Sequence, residues 1–363
     1  IIPNSGCGSW LLEPQSTNYG LNSEQPSTWH SSGGMDVTAN ATTSPEGNQN
    51  ASLAVVNANS GNIFTRNLFS FPSGSGTQTV TVSYFVKYYN NQWVRLKSIF
   101  FNGSPANNKN TFFDIQNGLV GTSDSSHTAE IKNFGNGWFR CSITFDIDKD
   151  VDTNGYVHIE PMTDDNSNTF ASIGQGYSAF GSQGEEQTHS TSYIPTSGAT
   201  NTRNKDIATN SGNATLINST EGVLYAEVSA LANENLQRIL SISDGTNNNA
   251  VQLGFLNSAT DYRFFANIRL GGVNQAFLTF NLGAVAPTFK KCAIKYKEND
   301  FALWIDGVEV ATDTSGSTFT TNTLNVLKFT RGDVAQNFFG KNKALAVYKE
   351  ALTDAELQSL TTI

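Results

Sequence analysis

The chain has 363 residues and a formal charge of −9, with 15% charged and 38% hydrophobic side chains and 31 glycines. Asn, Ser and Thr fill much of the remainder, a composition that favours strands and turns and excludes a helical bundle. The acidic balance carries no Lys/Arg run and no stretch reaches the roughly 18 apolar residues of a spanning helix, so neither nucleic acid nor membrane insertion is expected.

The length suits two domains. Residues 79–87 (TVTVSYFVK) alternate apolar and polar side chains, the mark of a strand with one buried face. Tyr88 and Tyr89 follow, and a turn is expected at Asn90 and Asn91. Beyond that turn, alternation puts Trp93, Arg95 and Lys97 on one face and Val94 and Leu96 on the other. Residues 139–147 turn Phe139, Cys141, Ile143, Phe145 and Ile147 inward, leaving Trp138 and Arg140 opposite. Asp150, Asp152 and Asn154 precede Gly155 with the spacing that opens a calcium loop, but position 161, where a bidentate Glu belongs, is Pro161. A polar hairpin is therefore the alternative. No cofactor is required, and calcium is the one ion these residues suggest.

A polar, turn-rich run over residues 196–205 divides the chain into domains 1–203 and 204–363. Short strands are expected at 223–228, 238–242, 292–296, 301–305 and 324–329. Asp306-Gly307 between Ile305 and Val308 suits the type I′ turn of a two-residue hairpin. Trp304 lies opposite Phe301, Leu303 and Ile305, where it is a glycan platform, an interdomain contact or part of a second core face. Thr353-Asp354-Ala355-Glu356 reads as a capping box that starts a short C-terminal helix. The fold class is all-β: two antiparallel β-sandwich (jelly-roll) domains and that helix. Cys7, Cys141 and Cys292 are too few and too scattered for a disulfide framework or a zinc site, and Cys141 and Cys292 fall on inward positions.

Four motifs in order, 11–18 (LLEPQSTN), 44–47 (SPEG), 136–142 (NGWFRCS) and 191–196 (TSYIPT), resemble a module of bacteriophage tail, fibre and head-fibre proteins that is similar to jelly-roll carbohydrate-binding modules. One departure is 179–186 (AFGSQGEE), where that family usually carries a Trp-Gly-Ala-Gln-type strand. The second half, through 289–296, 303–308 and 346–357, is similar to laminin-G and concanavalin-like sandwiches. The combination implies a fibre or decoration protein on the virion surface, in contact with other virion proteins and with a bacterial-surface glycan. Fibre proteins of this type are often homotrimers.

Sugar recognition needs aromatic faces for C–H groups and polar side chains for hydroxyls. The residues that offer these are Trp93, Arg95, Lys97, Tyr88, Tyr89 and Trp304, and cations flanking a ring suit an anionic glycan. Each also has a plain structural reading as an outer-face or subunit-contact side chain. For catalysis, no nucleophile elbow, phosphate loop or metalloprotease motif occurs, so no catalytic residue is assigned. A purely structural decoration protein, and a polysaccharide-degrading enzyme or its accessory module, are the alternatives.

Overall fold

A computed structural model describes residues 8–208, 211–231, 236–256, 261–284 and 288–363; Cys7 lies outside them. The chain forms two compact units, Gln15–Asn204 and Lys205–Ile363, the latter joined by the described residues up to Pro14.

The first unit is a sandwich of two six-stranded antiparallel sheets. The front sheet runs in the order Leu119–Ser123, Asn110–Asp114, Trp93–Ile99, Asn154–Met162, Thr65–Ser70, His30–Ser31. The back sheet runs Thr128–Gly135, Trp138–Asp148, Thr77–Tyr88, Gly176–Glu185, Ala51–Val56, Met35–Thr42. Successive strands keep crossing from one sheet to the other, as in a jelly roll. The period-two alternation explains the core: Val80, Val82, Tyr84 and Val86 from one sheet meet Val94, Leu96, Val157 and Ile159 from the other. Cys141 belongs to this core, and burial pushes its thiol pKa far up, so it behaves as a small hydrophobe. Gly155 and Gly184 sit where a Cβ would meet the rings of Phe101 and Phe69, which is why these inward positions are glycine.

The second unit pairs a six-stranded sheet, Trp10–Leu12, Gly340–Tyr348, Glu221–Ala230, Lys290–Lys297, Asp300–Ile305, Val308–Asp313, with a five-stranded one, Val273–Asn281, Arg263–Leu270, Ala250–Leu256, Arg238–Ser243, Val326–Lys328. All strand pairs are antiparallel. Leu224, Ala226 and Val228 face Leu240, Ile242, Leu253 and Phe264 in its core, with Cys292 among them. Asp306 and Gly307 both have positive φ, as a type I′ turn requires, and Ile305 faces Val308 across it.

One boundary differs from the expectation. Trp10–Leu12 was expected in the first domain, but it pairs with Gly340–Tyr348 and buries Leu12 in the core of the second unit. A strand this short has no stability of its own, so it joins the sheet edge whose free N–H and C=O groups it can satisfy.

The helix Asp354–Thr361 is capped at Thr353, whose hydroxyl accepts from the Glu356 N–H while the Glu356 carboxylate accepts from the Thr353 N–H. Its Leu357 packs against Val223, Tyr225, Ala293, Ala302 and Trp304 on the outer face of the six-stranded sheet. Trp304 is accordingly only 6% exposed. Of its three sequence readings the structure selects the second core face, and the glycan platform is corrected: the helix covers the ring.

Candidate functional site

The outer surface of the front sheet gathers most of the sequence-predicted site. Val94, Leu96, Val157 and Ile159 are in the core, so Trp93, Arg95 and Lys97 project from the opposite face, together with Tyr156, His158, Glu160 and Met162 of the neighbouring strand. Register sets Met162 and Asp114 on either side of Trp93, Glu160 and Phe112 on either side of Arg95, and His158 and Asn110 on either side of Lys97. Arg66, on the next strand, lies opposite His158. Directly opposed side chains on a sheet are close enough to interact.

At the centre is a buried polar chain. Arg95 Nε donates to Glu160 Oε2 at 2.5 Å, and His158 Nδ1 lies 3.2 Å from Glu160 Oε1. Arg66 Nη1 is 3.2 Å from His158 Nε2, so that nitrogen accepts and the histidine proton sits on Nδ1, directed at the carboxylate. Burial, reinforced by the Arg66 and Lys97 charges, outweighs Glu160 and pulls the His158 pKa down, keeping the ring neutral. Aromatic side chains enclose the chain. Phe64 stacks on His158 at 3.9 Å, Arg66 lies 3.8 Å over the Tyr156 ring, and Phe112 and Phe170 flank the Arg95 guanidinium at 5.7 and 6.0 Å.

Several donors on this face have no partner among the described residues. Arg95 uses only Nε toward Glu160, leaving both Nη groups without a hydrogen-bond acceptor. Lys97 Nζ is in no ion pair or hydrogen bond, and Arg66 Nε is buried without an acceptor. Asn110 Oδ1, beside Lys97, is a buried acceptor without a donor. Trp93 is half-buried at the rim, where the missing Cβ of Gly121 makes room for its ring beside Asp165. The acids are already engaged. Burial pushes the Asp114 carboxyl up, but hydrogen bonds from Gln92, Gln116 and Asn117 outweigh it and hold the pKa below the usual range. Asp165 accepts from Thr122 N and Oγ1.

Other predicted residues lie elsewhere. Tyr88 ends a back-sheet strand opposite Tyr177, because the connection through Asn90 and Asn91 switches sheets instead of closing a hairpin. Tyr88 and Tyr89 are exposed but do not share the face of Trp93. Asp152 is buried: its Oδ1 accepts from the N–H groups of Asn102 and Gly103 and its Oδ2 from that of Asp148. Asp150 Oδ2 accepts from Gly76 N, and Asn154 Oδ1 from the Ser70 hydroxyl. These three side chains thus brace different segments, and no group of three His, Cys, Asp or Glu side chains among the described residues converges as a metal site.

Sequence reasoning missed Arg66, Tyr156, His158 and Glu160. The alternation of residues 154–162 was a usable signal, since it aligns Tyr156, His158 and Glu160 on one face. Nothing local placed that strand next to Trp93, Arg95 and Lys97.

No protein-family model and no curated protein matches the chain. Among solved structures it is similar to the carbohydrate-binding module CBM40 of the Ruminococcus gnavus IT-sialidase bound to α2,3-sialyllactose, at 21% identity over 44% of this chain and 97% of that one, with a TM-score of 0.32. It is also similar to domains LG4-5 of the mouse laminin α1 chain, at 9% identity over 89% of this chain and 91% of that one, with a TM-score of 0.29. At these scores neither likeness carries an argument about the site, and the architecture stands on the strands themselves.

Proposed function

We propose that the chain is a non-catalytic glycan-binding protein that takes an acidic saccharide on the front-sheet face of its first unit. The observation that carries this reading is a group of cationic donors, the Arg95 Nη groups, Lys97 Nζ and Arg66 Nε, without protein acceptors on one face of a chain whose net charge is −9. A sugar carboxylate would accept charge-assisted hydrogen bonds from these groups, while Trp93 would meet the C–H face of a ring. The Arg95 head would act from a pre-set position, because Glu160, Phe112 and Phe170 fix its orientation.

The engaged state of Glu160 and Asp114 supports binding without hydrolysis, since a general acid needs a carboxyl free to carry a proton to the substrate. The motif order supports display on a phage particle, as a fibre or decoration protein with other virion proteins as neighbours, where many copies, in a homotrimer for instance, would turn weak contacts into avidity. Calcium is not part of this reading. Saturating calcium should leave the melting temperature unchanged, and a clear rise would reinstate Asp150, Asp152 and Asn154 as ligands.

The test is retention of acidic and neutral polysaccharides on the immobilised protein, with sialyllactose included as an acidic probe. Retention of acidic glycans that weakens as salt rises is expected, and Lys97→Ala should reduce it about tenfold with an unchanged melting temperature. Arg95→Ala is the wrong variant, because it leaves Glu160 buried without its cation. Release of shorter products would move the chain to the enzymes, no retention of acidic glycans would overturn this reading, and no retention of any glycan would leave the structural decoration protein.

A further inference from the structure

The second unit has a surface of different chemistry. The outer face of its five-stranded sheet holds a depression of about 230 Å³. Among the described residues no Asp, Glu, Lys or His lines it; the lining is dominated by the amides of Gln237, Asn247, Gln252, Asn267, Asn274 and Gln336, with Phe277 at one side. A solvated sheet face ordinarily carries charged or hydroxyl side chains, so six converging amides call for a ligand or for one another.

They satisfy one another only in part. Gln252 Nε2 donates to Asn247 Oδ1 at 2.7 Å, which turns Gln252 Oε1 toward Asn267. Arg269 Nη1 donates to Asn274 Oδ1 at 2.7 Å, which fixes that amide as well. Asn267 Nδ2 therefore faces two oxygens, at 3.4 and 3.3 Å, and flipping the amide would set oxygen against oxygen. Its Oδ1 remains buried without a donor among the described residues, in a residue only 5% exposed. An orphaned buried carbonyl is costly unless something donates to it.

The two arginines of the depression do not make it an anion site. Arg331 is held bidentately by Asp333 and donates to Gln336 Oε1, and Arg269 directs Nε, Nη1 and Nη2 at Asn247 O, Asn274 Oδ1 and Gly272 O. Phe277 is 48% exposed and packs beside Phe265 with ring centroids 6.0 Å apart, which steadies it as a flat apolar surface. Among the described residues, oriented amides, an unmatched acceptor, an aromatic face and no free charge are the complement of a neutral polyhydroxylated ring. The volume lies below the few hundred Å³ of drug-type pockets, which limits the occupant to a single-sugar-sized group.

We infer that the depression around Asn267 and Phe277 is a second saccharide site, selective for uncharged pyranose rings and independent of the cationic face proposed for the first unit. The experiment is saturation-transfer NMR on the full chain with methyl α-glucoside, methyl β-galactoside, N-acetylglucosamine and myo-inositol as probes. Transfer to at least one pyranose is expected, together with about tenfold weaker binding in Phe277→Ala, whose exposed side chain is not needed for folding, and loss in Asn267→Leu. Lys97→Ala should leave the signal unchanged. Silence across the panel, a signal undiminished in Phe277→Ala, or a signal abolished by Lys97→Ala would each overturn the inference. Failure of the acidic-glycan reading would leave it untouched, since the acidic arm of that test and Lys97→Ala read a different unit and a charged ligand.

Discussion

The two outer faces of the first unit carry similar side chains and put them to different uses. On the back sheet, Trp138 and Arg140 lie on the outer face of their strand, as Trp93 and Arg95 do on the front. There the segment carrying Thr191, Tyr193 and Ile194 closes over them. Arg140 Nε and Nη2 donate to the Ser83 hydroxyl and Nη1 to Thr191 O, and Trp138 Nε1 donates to Thr43 O. Glu185, buried beneath the same segment, accepts from Ser16, Gln183 and twice from Thr191. On the front face no segment among the described residues provides such acceptors for the Arg95 Nη groups or for Lys97. The comparison teaches that residue type alone does not separate a structural arginine from a binding one; what separates them is whether the chain returns to satisfy its donors.

The largest effect that should sharpen this contrast is on the covered face. Trp138 is 1% exposed, packed with Ala51, Phe85 and Phe180, and its replacement by Ala should destabilise the first unit by about 3–5 kcal/mol without changing glycan selectivity in the surviving folded protein. Urea denaturation measures the first part. A loss below about 1 kcal/mol would mean the covered face is not the structural one.

Acid should act next. Burial lowers the pKa of His127 to about 4 and that of His158 in the same direction, whereas both regain an ordinary value near 6.5 when unfolded. The unfolded chain then binds more protons below that value, so the stability from keeping these rings neutral is complete above pH 6.5 and is lost as pH falls toward 4. For His127, whose Nε2–H donates to Asn107 Oδ1 while Nδ1 accepts from the Thr111 hydroxyl, the loss should approach roughly 3 kcal/mol. Unfolding midpoints measured across that range should flatten in His127→Gln, and an unchanged slope would assign the acid sensitivity elsewhere.

The smallest effect is expected at the other covered tryptophan. Trp304 Nε1 is buried without an acceptor among the described residues, unlike Trp138 Nε1, so Trp304→Phe removes an unsatisfied donor and should shift stability by less than about 1 kcal/mol. Trp138→Phe should cost more, because it orphans Thr43 O. Equal thermal shifts in the two variants would break the distinction.

The amino-acid sequence by itself determined what depends on neighbours along the chain. Period-two alternation specified the strands and their inward residues, Asp306-Gly307 the tight turn, Thr353 and Glu356 the helix start, and the positions of Cys141 and Cys292 their burial. It also placed Trp93, Arg95 and Lys97 on one outward face. Only the tertiary structure decided which strands lie side by side and which faces are covered. Tyr88 left the site because its connection changes sheets, Trp304 left it because a helix lies over it, and His158, Glu160 and Arg66 entered through strands distant in sequence. The physical reason is that alternation reports burial of a face but carries no information about partners across a sheet, where pairing is made by backbone hydrogen bonds common to every residue.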